Sequence, residues 1–327
     1  MKKRALITGI GGMDGSYLAD FLLSKGYEVY GLKKRAHTDE NTNIKHIKDK
    51  IHIISGNMLN KASLVHAVEE SQPGEIYNFA AQSSVGKSWN IPEYTHHVNG
   101  LATLNFLEVI KDSHKSIKFF QAGSSEMFGD ATQELINEDS PFRPTSPYAI
   151  SKLFAYWTTK IYRQSHNMFN VNGILFNHES ERRGLGFVTR KITRGVARIK
   201  LGLTGHITLG NLDIERDWGY APDYVEAMWL MMQQDQPDDY IVATGTSHSL
   251  RDFLDIAFKH IDIKNWEQYI RQDPKYMRPA DIRVLRGDST KARTKLNWQP
   301  QVSFEEMIKK MIDNDLNLLE ENANLNN

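Results

Sequence analysis

Cysteine is missing from all 327 residues, which removes disulfides, thiolate nucleophiles and sulfur-ligated metal sites and fits a reducing compartment. An excess of either charge is missing too. Forty basic residues balance forty acidic ones, so no overall field holds a nucleic-acid backbone or an anionic membrane surface. An anionic ligand must therefore be gripped locally. No apolar run approaches the ~18 residues of a membrane span. Lys2-Lys3-Arg4 leads into an apolar stretch too short for the core of a secretory signal. These absences lead us to expect a cytoplasmic protein without nucleic-acid or membrane partners. What remains, at 40% hydrophobic and 24% charged, is the composition of a globular chain with one large core or two modest ones.

Through the first half, apolar runs at 4–8, 28–32, 52–55, 75–79, 117–122 and 171–176 alternate with helical-period segments at 15–25, 62–70, 94–111 and 147–164. Strands separated by helix-length segments need right-handed crossovers, which predicts an α/β fold: a doubly wound parallel sheet with helices on both faces. After residue 176 come Arg- and Gly-rich loops, a helix over 187–201, a strand at Ile207 and a Pro222-Asp223 turn. The expected division is a Rossmann-type dinucleotide-binding domain over 1–176, with a segment near 213–245 returning to it, and a smaller substrate domain over 177–318. The polar tail 319–327 should fray.

Thr8-Gly9-x-x-Gly12-x-x-Gly15 follows the first strand and opens a helix, the context in which glycines cradle a pyrophosphate. Gly9 permits the tight turn, Gly12 lets the backbone approach the anion, and Gly15 lets the helix pack closely on the strand. The second strand ends in Leu32-Lys33-Lys34-Arg35, where an NAD enzyme would carry an acidic residue for the ribose 2′-hydroxyl. Lys34 and Arg35 instead favour a 2′-phosphate and hence NADP, against the plainer reading of a solvated basic loop. Asn57, after the third strand, has an amide suited to an adenine edge.

Three Tyr-x-x-x-Lys spacings occur: Tyr30/Lys34, Tyr148/Lys152 and Tyr156/Lys160. Four-residue spacing does not align side chains on a strand, which removes the first, and the third lies deep in a helix as an ordinary packing contact. Tyr148 follows Ser146-Pro147 at a helix start, so Tyr148 and Lys152 share one face. A phenol titrating near ~10 needs a nearby ammonium to serve as a base at neutral pH, and Lys152 can supply it while bonding a cofactor ribose. Ser124, just past the fifth strand, can bond the same substrate oxygen. These three suffice for hydride transfer at a carbinol. Glu126, two residues on, is superfluous to a plain dehydrogenase; a carboxylate there can take a carbon-bound proton and pass one to a departing hydroxyl.

Together these residues resemble the extended short-chain dehydrogenase/reductase superfamily and, within it, the GDP-mannose 4,6-dehydratase family. The likeness runs from residue 4 to about 315. It is carried by residues 5–10 with 14–20, by 78–83, by Phe176-Asn-His-Glu-Ser180 with Arg182-Arg-Gly184, by 187–194, by 209–213 with Arg216-Asp-Trp-Gly219, and by Arg278-Pro279. The resemblance implies that Tyr148 takes the C4 hydroxyl proton of a GDP-sugar as hydride passes to NADP. Glu126 then removes the acidified C5 proton and assists loss of the C6 hydroxyl, and hydride returns to C6. It places Asp14 with the cofactor and Ser83, Asn177, Lys191, Arg216 and Arg278 with the nucleotide-sugar, and it implies no metal and a homo-oligomer, dimer or tetramer. Ser84 and Trp89 stand where histidine and phenylalanine are usual, Asp281 where glutamate is usual, and Ala36-His-Thr-Asp-Glu40 replaces a Ser-rich loop. The alternatives are the same dehydration of a GDP-mannoheptose, or a nucleotide-sugar epimerase or reductase on this fold.

Overall fold

The computed structural model describes residues 2–34, 42–113, 116–131, 133–276 and 282–324. The expected positions Arg35, Arg278 and Asp281, and the loop 36–40, lie outside the described residues.

The chain begins β1 (Arg4–Thr8), α1 (Met13–Ser24), β2 (Glu28–Lys33), β3 (His52–Ser55), α2 (Lys61–Ser71) and β4 (Glu75–Asn78). Two short helices, α3 (Val85–Ser88) and α4 (Pro92–His96), precede a π-helical turn (His97–Leu101) that runs into α5 (Ala102–Asp112). Then come β5 (Lys118–Ala122), α6 (Pro147–His166), β6 (Asn170–Leu175), β7 (Asn177–Glu179), α7 (Val188–Lys200), β8 (Ile207–Leu209), β9 (Glu215–Tyr220), α8 (Ala221–Met232) and β10 (Asp239–Val242). The chain closes with β11 (Ser247–Ser249), α9 (Leu250–His260), β12 (Ile270–Gln272), β13 (Val284–Leu285), α10 (Thr290–Leu296) and α11 (Phe304–Asn324).

Seven parallel strands form the main sheet in the order β10-β6-β5-β4-β1-β2-β3. Ala5, Leu6, Ile7 and Thr8 are all fully buried, as expected of a central strand covered on both faces. Their side chains alternate between two cores. Ala5 and Ile7 join α1 and α8 residues, whereas Leu6 joins α2 and α5. The strand order reverses between β1 and β4, and the crevice at their carboxyl ends is where an open α/β sheet binds its ligand.

Smaller sheets gather β7, β11 and β13 around β9 and pair β12 with β8. They pack with α7, α9 and α11 around a separate core that includes Ile192, Trp218, Phe253 and Met311. Of the segment 213–245, β9 belongs to this second lobe, whereas α8 and β10 complete the first. No helix among the described residues is long and apolar enough to cross a membrane.

One expectation is corrected. Pro222-Asp223 is no turn: it opens α8, where proline's missing N–H falls on a donor that would have no intrahelical partner. The first six residues of the polar tail, 319–324, form the end of α11, whose stem is anchored by Met307, Ile308, Met311 and Ile312. The expected helix over 94–111 exists, but a π turn interrupts it at His97–Leu101.

Candidate active site

At the end of β1 the chain turns through Gly9, whose φ of +67° suits glycine, and a Cβ there would lie 3.0 Å from the Ala80 amide nitrogen. At Gly15 a Cβ would meet the Gly9 carbonyl oxygen at 2.4 Å, so only glycine lets α1 start this close to the strand. Gly12 caps α1 without a side-chain bond, which leaves the first-turn amides facing a cleft of about 610 Å³. Gly9, Gly12, Asp14, Gly15, Lys34, Asn57 and the exposed Ser83 line that cleft, with Asn43, Tyr94 and Arg183. The glycines fit a dinucleotide pyrophosphate, and Lys34 sits at the rim where β2 ends.

Asn57 Oδ1 accepts from the Leu59 amide at 3.1 Å. Asp14 bonds His178 Nε2 at 2.9 Å, and His178 Nδ1 meets the Phe176 carbonyl at 2.8 Å while the ring stacks on Tyr224. Burial raises the Asp14 carboxyl, but the facing His178 outweighs it and holds the group below the usual range. For His178, burial opposes the charge and Asp14 wins, so the imidazole titrates above its ordinary value.

Behind the cleft, Ser124 follows β5 and caps a 3₁₀ turn (Ser125–Phe128), its Oγ accepting from the Glu126 amide at 3.3 Å. That turn buries Glu126 rather than exposing it. Ser146 caps α6 through the Ala149 amide, Pro147 takes the first helical position, and Tyr148 is thereby delivered to the site with its own amide on Ser88 Oγ at 3.2 Å. Burial, Ser124 and the charges of Glu126, Arg183 and Asp14 all act on the Tyr148 phenol. Ser124, Glu126 and Tyr148 thus converge, although 22 residues separate Glu126 from Tyr148 in the chain.

Lys152 lies one turn along α6, with Nζ donating to the Ala122 carbonyl at 2.9 Å and lying 5.9 Å from the centre of the Tyr148 ring. Burial pushes its ammonium down to about 8, against the pull of Asp14. Burial also pushes the Tyr148 phenol up to about 12, with Ser124 and the Arg183 charge opposing. Arg183, brought from the second lobe, is thus a cation acting on the phenol beside the neighbouring Lys152. Tyr156 and Lys160 form the packing contact expected of them, Nζ to OH at 3.5 Å.

Apart from Ser83 in the cleft, the described candidates for the sugar-nucleotide, Asn177, Lys191 and Arg216, come from the second lobe. Asn177 is half-buried at the start of β7. Lys191, on α7, sits 3.8 Å over the Tyr276 ring. Arg216, buried on β9, donates to the carbonyls of Glu215 and Ile282, both at 2.8 Å. Ser84 caps α3, and Trp89 just beyond is 42% exposed.

Sequence reasoning quoted His178 and Arg183 only as parts of longer stretches and gave them no role. No local signal marks His178, whose partner Asp14 is 164 residues away, whereas Arg183 pairs with Glu179 four residues back while lining the cleft. It also missed Asn99, in the π turn, whose Oδ1 accepts from the Gln82 amide and whose Nδ2 donates to the Gln82 carbonyl and to Ser151 Oγ, tying the loop after β4 to the helix that carries Tyr148. A larger groove of about 880 Å³ opens at the opposite end of the strands, beside Tyr27, Glu28 and His52. Its carboxylates are engaged, Glu28 by Arg4 and Asp20 by His46 and Arg182.

A glycine-cradled cleft at the switch point, backed by a Ser/Tyr/Lys set, defines a Rossmann-fold enzyme of the short-chain dehydrogenase/reductase type. The UDP-glucose 4-epimerase of Thermus thermophilus, solved with NAD, superposes with a TM-score of 0.84 at 27% identity over 95% of this chain and 98% of its own. The family model for GDP-mannose 4,6 dehydratase matches residues 6–311. Arabidopsis thaliana GDP-mannose 4,6 dehydratase 2 is 49% identical over 97% of this chain and 88% of its own length, and the Cricetulus griseus GDP-mannose 4,6 dehydratase is 45% identical over 99% and 94%. The chain belongs to the GDP-mannose 4,6-dehydratase family, whose named activity is that of a hydro-lyase.

Proposed function

We propose that this chain converts GDP-mannose to GDP-4-keto-6-deoxymannose with NADP as a cofactor that is regenerated in each turnover. The observation that carries the reading is Glu126, buried and close enough for its charge to act on the Tyr148 phenol, where a simple dehydrogenase needs no carboxylate. Gly9, Gly12 and Gly15 hold the pyrophosphate, Lys152 the nicotinamide-side ribose, and Lys34 with Arg35 the 2′-phosphate. The bound nicotinamide supplies a reversible hydride store. Tyr148 accepts the C4 hydroxyl proton while Ser124 steadies that oxygen. The ketone so formed acidifies C5, Glu126 removes the C5 proton, and the same carboxyl delivers a proton to the departing C6 hydroxyl; return of the hydride to C6 and of the Tyr148 proton to C5 then gives the 6-deoxy product and restores the base. Asn177, Lys191, Arg216 and Arg278 grip the nucleotide-sugar, the cationic members at its diphosphate.

The protein is also proposed to act as a homo-oligomer. Ile150, Phe154, Trp157 and Ile161 are each 43–52% exposed and recur at helical spacing along one face of α6, with Leu101 exposed on the neighbouring helix. A stripe that meets its own copy across a two-fold axis buries itself on both sides, which suits an isologous dimer.

The test is mass spectrometry of the product from GDP-mannose in heavy water without added cofactor. Loss of one water with one solvent deuterium retained at C5 is expected, since the elimination exchanges that proton. An unchanged mass, with NADP then supplied, would refute dehydration.

A further inference from the structure

After β7 the chain carries three successive charged side chains, Glu181, Arg182 and Arg183, and they reach into different parts of the molecule. Glu181 accepts from the Tyr17 hydroxyl of α1 at 2.9 Å and from the Tyr220 hydroxyl at the end of β9 at 3.1 Å. Arg182 stacks its guanidinium 4.0 Å from the centre of the Tyr17 ring, donates to Ser16 Oγ at 3.2 Å and pairs with Asp20 at 2.7 Å. The Asn43 amide donates to the carbonyls of both Gly11 and Arg182, at 3.2 and 3.3 Å. Gly11, Asn43 and Arg183 all line the nucleotide cleft. From behind, buried Arg190 pairs with Asp315 at 2.7 Å and donates to the carbonyls of Glu181 and Arg183.

The partners Ser16, Tyr17 and Asp20 lie on the helix whose N-terminus faces the cleft. The segment therefore bridges the second lobe to the rim of the cofactor site, through bonds that the proposed chemistry does not use. We propose that Glu181 and Arg182, with Asn43, form a clasp across that rim which retains the dinucleotide between turnovers, Arg182 acting as its positioning residue. The inference rests on the assignment of the cleft to NADP. A reaction that returns its hydride needs no exchange of cofactor, so slow release costs nothing in turnover, and a clasp of half-buried ion pairs and hydroxyl bonds slows release without touching the reacting atoms.

The experiment loads the full-length protein with radiolabelled NADP and follows its displacement by excess unlabelled NADP. Arg182→Gln should speed displacement about tenfold, the size expected from losing one half-exposed ion pair and one hydrogen bond. Turnover of GDP-mannose at saturating NADP should stay within about twofold, because opening the rim leaves the reacting groups in place. Tyr17→Phe, which keeps the ring under Arg182 and removes only the bond to Glu181, should give a smaller acceleration and serves if Arg182→Gln fails to fold. Arg251→Gln, which breaks the exposed Arg251–Asp213 pair far along the chain, should leave displacement unchanged. Displacement no faster in Arg182→Gln and Tyr17→Phe than in wild type, or equally faster in Arg251→Gln, overturns the clasp alone. Wild-type protein that takes up no NADP overturns the cofactor assignment and the clasp with it.

Discussion

Replacing Lys152 with methionine should stabilise the folded protein at neutral pH while abolishing its chemistry. Folding lowers the Lys152 ammonium from the 10.5 of a free lysine to about 8, chiefly by burial. That drop corresponds to about 3 kcal/mol against the folded state wherever the amine is charged. Between pH 8 and 10.5 the unfolded chain binds the proton that the folded chain has released, so the penalty is full below about 8 and fades as pH rises toward 10.5. Methionine replaces the apolar stem of the side chain, ends one atom short of the amine and loses the bond to the Ala122 carbonyl, which contributes about 1 kcal/mol. At pH 7 the variant should therefore be more stable by about 2 kcal/mol. Near pH 10.5 the wild-type penalty is gone while its bond remains, and the variant should be less stable by about 1 kcal/mol. Urea unfolding of both proteins at the two pH values, followed by tryptophan fluorescence, measures the difference. A variant no more stable than wild type at pH 7, or a gap that is the same at both pH values, would refute the argument that burial of this cation is an energetic cost of the site.

The roles of the other site residues separate by step. Glu126→Gln should lose dehydration by about 10²–10⁴-fold, while reduction of NADP by the bound sugar survives in a single-turnover absorbance measurement; full dehydration would remove Glu126 from the mechanism. Tyr148→Phe should suppress both readouts, because without oxidation C5 is never acidified, and undiminished NADP reduction there would rule Tyr148 out as the base. Lys34→Glu should weaken NADP binding about tenfold or more by placing a carboxylate beside the 2′-phosphate, with NAD binding little changed; equal losses for both cofactors in calorimetry would contradict a 2′-phosphate contact. Trp157→Glu, in the centre of the exposed α6 stripe, should shift the protein toward monomer in sedimentation, and an unchanged oligomer would place the interface elsewhere.

The sequence by itself determined the layered α/β architecture, because its cues are local. Continuous apolar runs such as Ala5–Leu6–Ile7 announce strands covered on both faces, glycines 9, 12 and 15 announce the turn into α1, and Ser146-Pro147 announces the start of α6. Ser124, Glu126, Tyr148 and Lys152 were legible for the same reason: each stands at a recognisable strand end or helix start. The tertiary structure alone decided what crosses between segments. Two phenylalanine- and methionine-lined cores and the pairing of His178 with Asp14 depend on contacts between distant parts of the chain, which no periodicity encodes. Electrostatics followed the same division. Spacing correctly set Lys152 one turn from Tyr148, but whether that amine lowers the phenol depends on burial and on every charge nearby. Burial dominates both groups, and a cation that opposes it at Tyr148, Arg183, is brought from the second lobe. Local geometry is written in neighbouring residues; the titration of a buried group is set by the whole volume around it, which exists only after the chain has folded.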